Sequence, residues 1–155
     1  MNRRTLLIGV PAAALSVAAG GTFAYWHRGS LPDEVGELTV QEAQARLAAD
    51  EIWLVDIRRP DEWQATGVAS GALLLDMRRE DFIDALAQAT SADPGRPMAF
   101  ICARGVRSRR LIRTLDDAGI GPIIDVPEGM LGSPAGPGWI AAGLPVVQPP
   151  DASQG

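Results

Sequence analysis

Four short apolar runs limit what this chain can become: "IWLVD" (52–56), "GALLLDM" (71–77), "PMAFIC" (97–102) and "PIIDV" (122–126). A strand that faces water on one side alternates polar and apolar residues, whereas an unbroken apolar strand has to be covered on both faces. The stretches between the runs read as helices, and strands joined by helical crossovers run parallel. The expected fold is therefore α/β, a small parallel β-sheet covered by helices on both faces.

The helices carry their own signals. Thr39 and Glu42 have capping-box spacing, and Val40, Ala43 and Leu47 then fall on one face. A second helix starts at Pro60 and stops at Gly67 after about two turns. Residues 79–90 form an amphipathic pattern with Phe82, Leu86 and Ala89 inward. From Val106 to Ala118, Leu111, Ile112 and Leu115 point inward while Arg109, Arg110 and Arg113 form a solvated face, and Gly119 ends the helix. "EGMLGSPAGPGWIAAGLPVV" reads as a loop with one short helix around Trp139 to Ala142, and residues 148–155 as a disordered tail.

At 155 residues the chain holds one domain, expected over 31–147, plus extensions. A net charge of −5 excludes a generally basic nucleic-acid binder, so no nucleic-acid partner is expected. Residues 1–30 differ from the rest: a basic head (Arg3, Arg4) precedes an uncharged stretch from Thr5 to Trp26. That is the layout of an export signal, and the arginine pair followed by Thr5, Leu6 and Leu7 resembles a twin-arginine signal. The segment reads either as a cleaved peptide, with Ser16-Val17-Ala18 and Thr22-Phe23-Ala24 as small-x-Ala sites, or as an anchor. Residues 5–26 are long enough to cross a bilayer core of about 30 Å, with Tyr25 and Trp26 at the interface. Both readings put the domain outside the cytoplasm, in the periplasm or anchored to the inner membrane.

Cys102 is the only cysteine, so it has no internal disulfide partner. It ends an apolar strand, and "ARGV" leads straight into a helix. Ligands of α/β sheets bind beyond the carboxyl ends of strands. The amides of a tight loop entering a helix favour an anion, and a thiolate is one. Those dipoles, with Arg104 and Arg107, favour the charged thiol as a nucleophile over an inert buried cysteine. His27, the only histidine, lies in the linker, so no Cys–His pair forms within the domain. No metal-ligand cluster is visible in the sequence, and no metal or other cofactor is expected.

Taken together, "LVDIRRPDEW", the glycines from Gly67 to Ala72, "CARGVRS" and "EGMLGSPAGPGWIAAGLPV" resemble a rhodanese-homology domain from about Leu38 to Val147. Two departures bear on substrate fit: Val68 stands where the family usually has histidine, and extra glycines and prolines precede Trp139. The resemblance implies a sulfurtransferase working through a Cys102 persulfide, with a small anionic sulfur donor and a thiol or protein acceptor. It assigns Ala103, Arg104, Gly105, Val106, Arg107 and Ser108 to the anion cradle. Within it, Arg107 orients the loop or the donor and Arg104 faces the mouth. Asp56, Arg58 and Glu62 are expected to hold the neighbouring loops together.

Two rivals remain. Phosphatases and arsenate reductases of related fold use a loop one residue longer, with arginine six positions after the cysteine, where this chain has Ser108. A persulfide carrier or binding module without turnover is the other, with "GSPAGPGW" as its docking surface.

Overall fold

Strand parity divides the core in two. In the computed structural model, which describes residues 36–150, β5 (Met98–Ile101) lies at the centre of the sheet with β2 (Trp53–Asp56) beside it. Along these strands Leu54, Ala99 and Ile101 point to one side, while Val55, Met98, Phe100 and Cys102 point to the other. Each side needs a cover because neither carries a polar stripe.

The helices supply both covers. α1 (Val40–Ala48) buries Val40 and Ala43 on the first side, together with Trp139 from the short α5 (Gly138–Ala141). α3 (Phe82–Ala89) and α4 (Val106–Asp117) bury Phe82, Leu86, Ile112 and Leu115 on the second. The expected capping box is present, with Thr39 Oγ1 accepting from the Glu42 N–H at 3.2 Å and Glu42 accepting from the Thr39 N–H at 2.9 Å. α2 (Pro60–Thr66) ends at Gly67 as its sequence dictates.

The main sheet runs β1 (Gly36–Glu37), β6 (Ile123–Asp125), β5, β2, β4 (Leu73–Leu74), all parallel. A separate antiparallel pair joins β3 (Val68–Ala69) to β7 (Val146–Val147).

The structure corrects several expectations. The run 71–77 is not a full buried strand. Only Leu73 and Leu74 pair, half-buried, because β4 is the sheet edge and bonds to β2 alone. The third helix starts at Phe82 rather than residue 79, after turns in which Arg79 pairs with Asp81. Ala89 is exposed there, and Ala85 packs inward in its place. β1, β3 and β7 have two residues each, too few for any periodicity to announce them. In the expected tail, Pro149 is buried, so the ordered chain continues past Val147. The export or anchor segment, 1–30, and residues 151–155 lie outside the described residues. Among the described residues no helix is long and apolar enough to cross a membrane.

Candidate active site

β5 delivers Cys102 to the carboxyl edge of the sheet, where it is 1% exposed. The chain then turns through Ala103 and Arg104 and enters α4 at Gly105, whose φ of 77° is left-handed. The first backbone bond of the helix runs from the Arg109 N–H to the Gly105 carbonyl at 3.2 Å. The backbone N–H groups from Ala103 to Ser108 therefore hydrogen-bond to nothing among the described residues. A helix start leaves its first amides unpaired, and the tight loop before it adds more. The result is a concentration of positive partial charge next to the thiol.

Two loops fix this cradle. The segment after β6 backs it, with the Met130 N–H donating to the Cys102 carbonyl at 2.8 Å and the Leu131 N–H to the Ala103 carbonyl at 2.9 Å. Inside the loop the Cys102 thiol donates to Ser108 Oγ at 3.7 Å, and Ser108 Oγ donates to the Gly105 carbonyl at 3.2 Å. Ser108 continues the inward stripe of α4 (108, 112, 115) one turn toward Cys102. A hydroxyl thus stands where the helix pattern would otherwise put an apolar side chain.

Arg107 leaves the cradle for a neighbour. Its Nη1 and Nη2 donate to the Glu62 carboxylate at 2.7 and 2.6 Å, bridging α4 to α2. The Arg107 guanidinium holds the Glu62 carboxyl at about 2, below its usual 4.5. Glu62 in turn raises Arg107 further. A depressed acid stabilises the fold only when ionised. Its contribution is complete above pH 4.5 and disappears as pH falls through 2. Both partners are partly exposed, so solvent screening leaves about 1–2 kcal/mol at neutral pH. Glu62→Gln should lose that amount in denaturant unfolding at pH 7, and its deficit against wild type should shrink between pH 4.5 and 2. A deficit that does not change with pH would place its origin elsewhere.

Asp56 and Arg58 form a buried pair, Arg58 Nη2 donating to Asp56 Oδ2 at 2.7 Å. Arg58 also donates to Thr66 Oγ1 at 2.7 Å and to the Gly67 carbonyl at 2.8 Å. The pair therefore braces the end of β2 against the end of α2, and does not touch Cys102. Of the residues expected to hold loops together, Glu62 alone reaches the cradle. Arg104 is exposed and donates to the Gly132 carbonyl at 3.3 Å, and Val106 is also exposed.

Sequence reading missed two buried acids here. Glu128 accepts from the Val40 N–H and the Gly138 N–H, both at 3.1 Å, and so satisfies the first amides of α1 and α5 with one carboxylate. Its place in a glycine-rich loop gave no hint of this. Asp125 ends β6 at 2% exposure. Neither of its oxygens has a hydrogen-bond partner among the described residues, and Arg109 Nε lies 3.6 Å away. Burial raises its carboxyl above the usual 3.8, against the smaller opposing effects of Ser108 and Arg109. Ionising it therefore costs stability above that raised value and costs nothing below 3.8, where both folded and unfolded forms are protonated. Asp125→Asn should raise stability at pH 7 by about 1 kcal/mol, with the gain vanishing in urea titrations below pH 3.8. A loss at pH 7 would mean that attraction to Arg109 outweighs burial.

A family model described as a rhodanese-like domain matches residues 39–132. No curated protein matches the chain. Among solved structures, a polysulfide-sulfur transferase homodimer from Wolinella succinogenes is 26% identical, with 76% of this chain and 82% of that one covered and a TM-score of 0.57. A thiosulfate sulfurtransferase from Pseudomonas aeruginosa is 27% identical over 74% of this chain, with a TM-score of 0.58, although only 20% of that longer chain is covered. A Rhodopseudomonas palustris protein described as a possible tyrosine phosphatase, at 24% identity and TM-score 0.55 over 73% of this chain and 85% of that one, is similar in fold.

Proposed function

The chain belongs to the rhodanese-like domain family, and from that premise we propose that it is a sulfurtransferase carrying sulfane sulfur as a persulfide on Cys102. One observation carries the reading: the unpaired amides from Ala103 to Ser108 follow directly on the only thiol of the chain. Amides fixed in this way stabilise charge without reorganising during the reaction.

With thiosulfate as donor, the Cys102 thiolate attacks the outer sulfur. The Sγ–S bond forms, the donor S–S bond breaks, and sulfite leaves with the electron pair. The protein keeps Cys–S–S⁻, whose terminal sulfur carries the charge toward the amides. A thiophilic acceptor then attacks that sulfur and releases the Cys102 thiolate, which closes a ping-pong cycle. Ser108 accepts the thiol hydrogen in the resting state and can donate to the thiolate once the proton has left. Arg107, clamped by Glu62, holds the loop in register. The clamp occupies both terminal nitrogens of Arg107, and Ser108 stands where the longer phosphatase loop has its arginine; both support the sulfur reading over phosphate chemistry. The layout of residues 1–30 supports exported placement, which fractionation of expressing cells would test.

Incubating the full chain with thiosulfate should add the mass of one sulfur, and cyanide should then remove it as thiocyanate. Absence of both overturns the proposal. Loading without turnover identifies a persulfide carrier.

A further inference from the structure

Among the described residues every arginine pairs with a carboxylate except Arg46, Arg104, Arg110 and Arg113. The last three line a single groove of about 420 Å³. Val106, Pro127 and Pro134 supply apolar wall, and Arg109, shared with Glu37 and Asp125, adds a fourth guanidinium. Arg109 and Arg113 are four residues apart on α4, and Arg110 and Arg113 three, spacings at which like charges repel. A chain of net charge −5 has carboxylates to spare and places none in this lining. Like charges gathered in this way favour an anion between them.

The groove adjoins the cradle, since Arg104, Gly105 and Val106 belong to both. Arg113 stands seven residues beyond Val106, about 10 Å along the helix at the usual rise. A ligand that fills both sites therefore has its sulfur and its negative groups about 10 Å apart. Thiosulfate is far too short to do so. The volume is that of a small-molecule site, and no aromatic anchor of the kind that centres protein interfaces lines it.

We propose that this groove binds the phosphate or carboxylate end of an extended, low-molecular-weight thiol that collects sulfur from Cys102. The proposal rests on the sulfurtransferase reading. The acceptor thiolate attacks the terminal sulfur of the Cys102 persulfide, its S–S bond forms as the bond to Sγ breaks, and Cys102 leaves as thiolate. The step is redox-neutral, and charge is conserved. Arg110 and Arg113 hold the acceptor by its charge and set which thiols are used.

Coenzyme A and pantetheine test this directly, since they share one thiol arm and only coenzyme A carries the phosphorylated adenosine end; the loss of the difference in the arginine variants assigns it to charge. Calorimetric titration of the full chain carrying Cys102→Ser separates binding from chemistry. Coenzyme A should bind at least about tenfold more tightly than pantetheine at low salt, and the ratio should fall as salt rises. Arg110→Gln with Arg113→Gln should bring the two within about twofold of each other. Equal binding of the two thiols, or a preference that survives the double substitution, overturns the proposal. Tight binding of an acidic peptide without coenzyme A binding also overturns it, and assigns the groove to a protein partner. In the protein with Cys102 intact, persulfide discharge should favour coenzyme A by a similar factor. A coenzyme A preference in a protein that takes up no sulfur from any donor overturns the sulfurtransferase reading instead, and leaves the groove standing.

Discussion

Cys102→Ala is expected to take up no sulfur from thiosulfate and to form no thiocyanate, a loss of at least about three orders of magnitude in turnover. No second thiol can substitute, because the chain has no other cysteine. The fold should survive the change. Cys102 is a small group in a wall of Met98, Phe100 and Ile112, and removing one sulfur leaves a void worth about 1 kcal/mol. A near-normal unfolding midpoint together with lost transfer would therefore locate the defect in chemistry rather than folding. Cys102→Ser sharpens the comparison, since it keeps a small hydrogen-bonding group beside Ser108 without a thiolate. Transfer that persists in either variant would remove Cys102 as the nucleophile.

Gly105→Ala should be the next most damaging change, for a steric reason. Gly105 has a φ of 77°, and a Cβ there would lie 2.1 Å from the Pro127 carbonyl oxygen and 2.9 Å from its carbon. Both are backbone atoms, so relief requires the cradle and the loop after β6 to move apart. That segment also supplies the N–H groups that fix the Cys102 and Ala103 carbonyls. The expected cost is about 2–4 kcal/mol of stability. A displacement of about 1 Å in positioned groups commonly costs some hundredfold in rate, and a loss of that order is expected in kcat/KM. Gly143 is the control: its φ is 70°, with nothing within 4 Å of a Cβ. Gly143→Ala then measures the left-handed backbone alone, about 1 kcal/mol, and should leave transfer intact. If the two variants lose equal stability, the contact with Pro127 yields freely and the steric account fails.

Features encoded within a few residues were legible in the chain. The cap at Thr39, the start at Pro60 and the stop at Gly119 each depend on a local backbone requirement that one residue type satisfies. The placement of Cys102 between β5 and α4 followed from an apolar run meeting a glycine-containing turn. Features that depend on distant partners were not legible. Leu73 and Leu74 look as buried as any strand, and only their place at the sheet edge leaves them half-exposed. Val68 and Ala69 form a strand because Val146 and Val147, late in the chain, pass beside them. Glu128 carries no local mark, since its two partners, Val40 and Gly138, come from separate helices.

The arginines of "ICARGVRSRR" show the same division. Sequence alone determined that a thiol, a tight loop and a helix start coincide at residues 102–108, because all three arise within one turn of chain. It could not name the partners of the four arginines, since a guanidinium is defined by what it meets. Tertiary structure turned Arg107 to Glu62 on α2 and Arg109 to Glu37 and Asp125 on the neighbouring strands. It left Arg104 and Arg110 in a groove with Arg113, one turn further along α4. Long charged side chains reach across the fold, and only the packed sheet and helices decide which carboxylates lie within that reach.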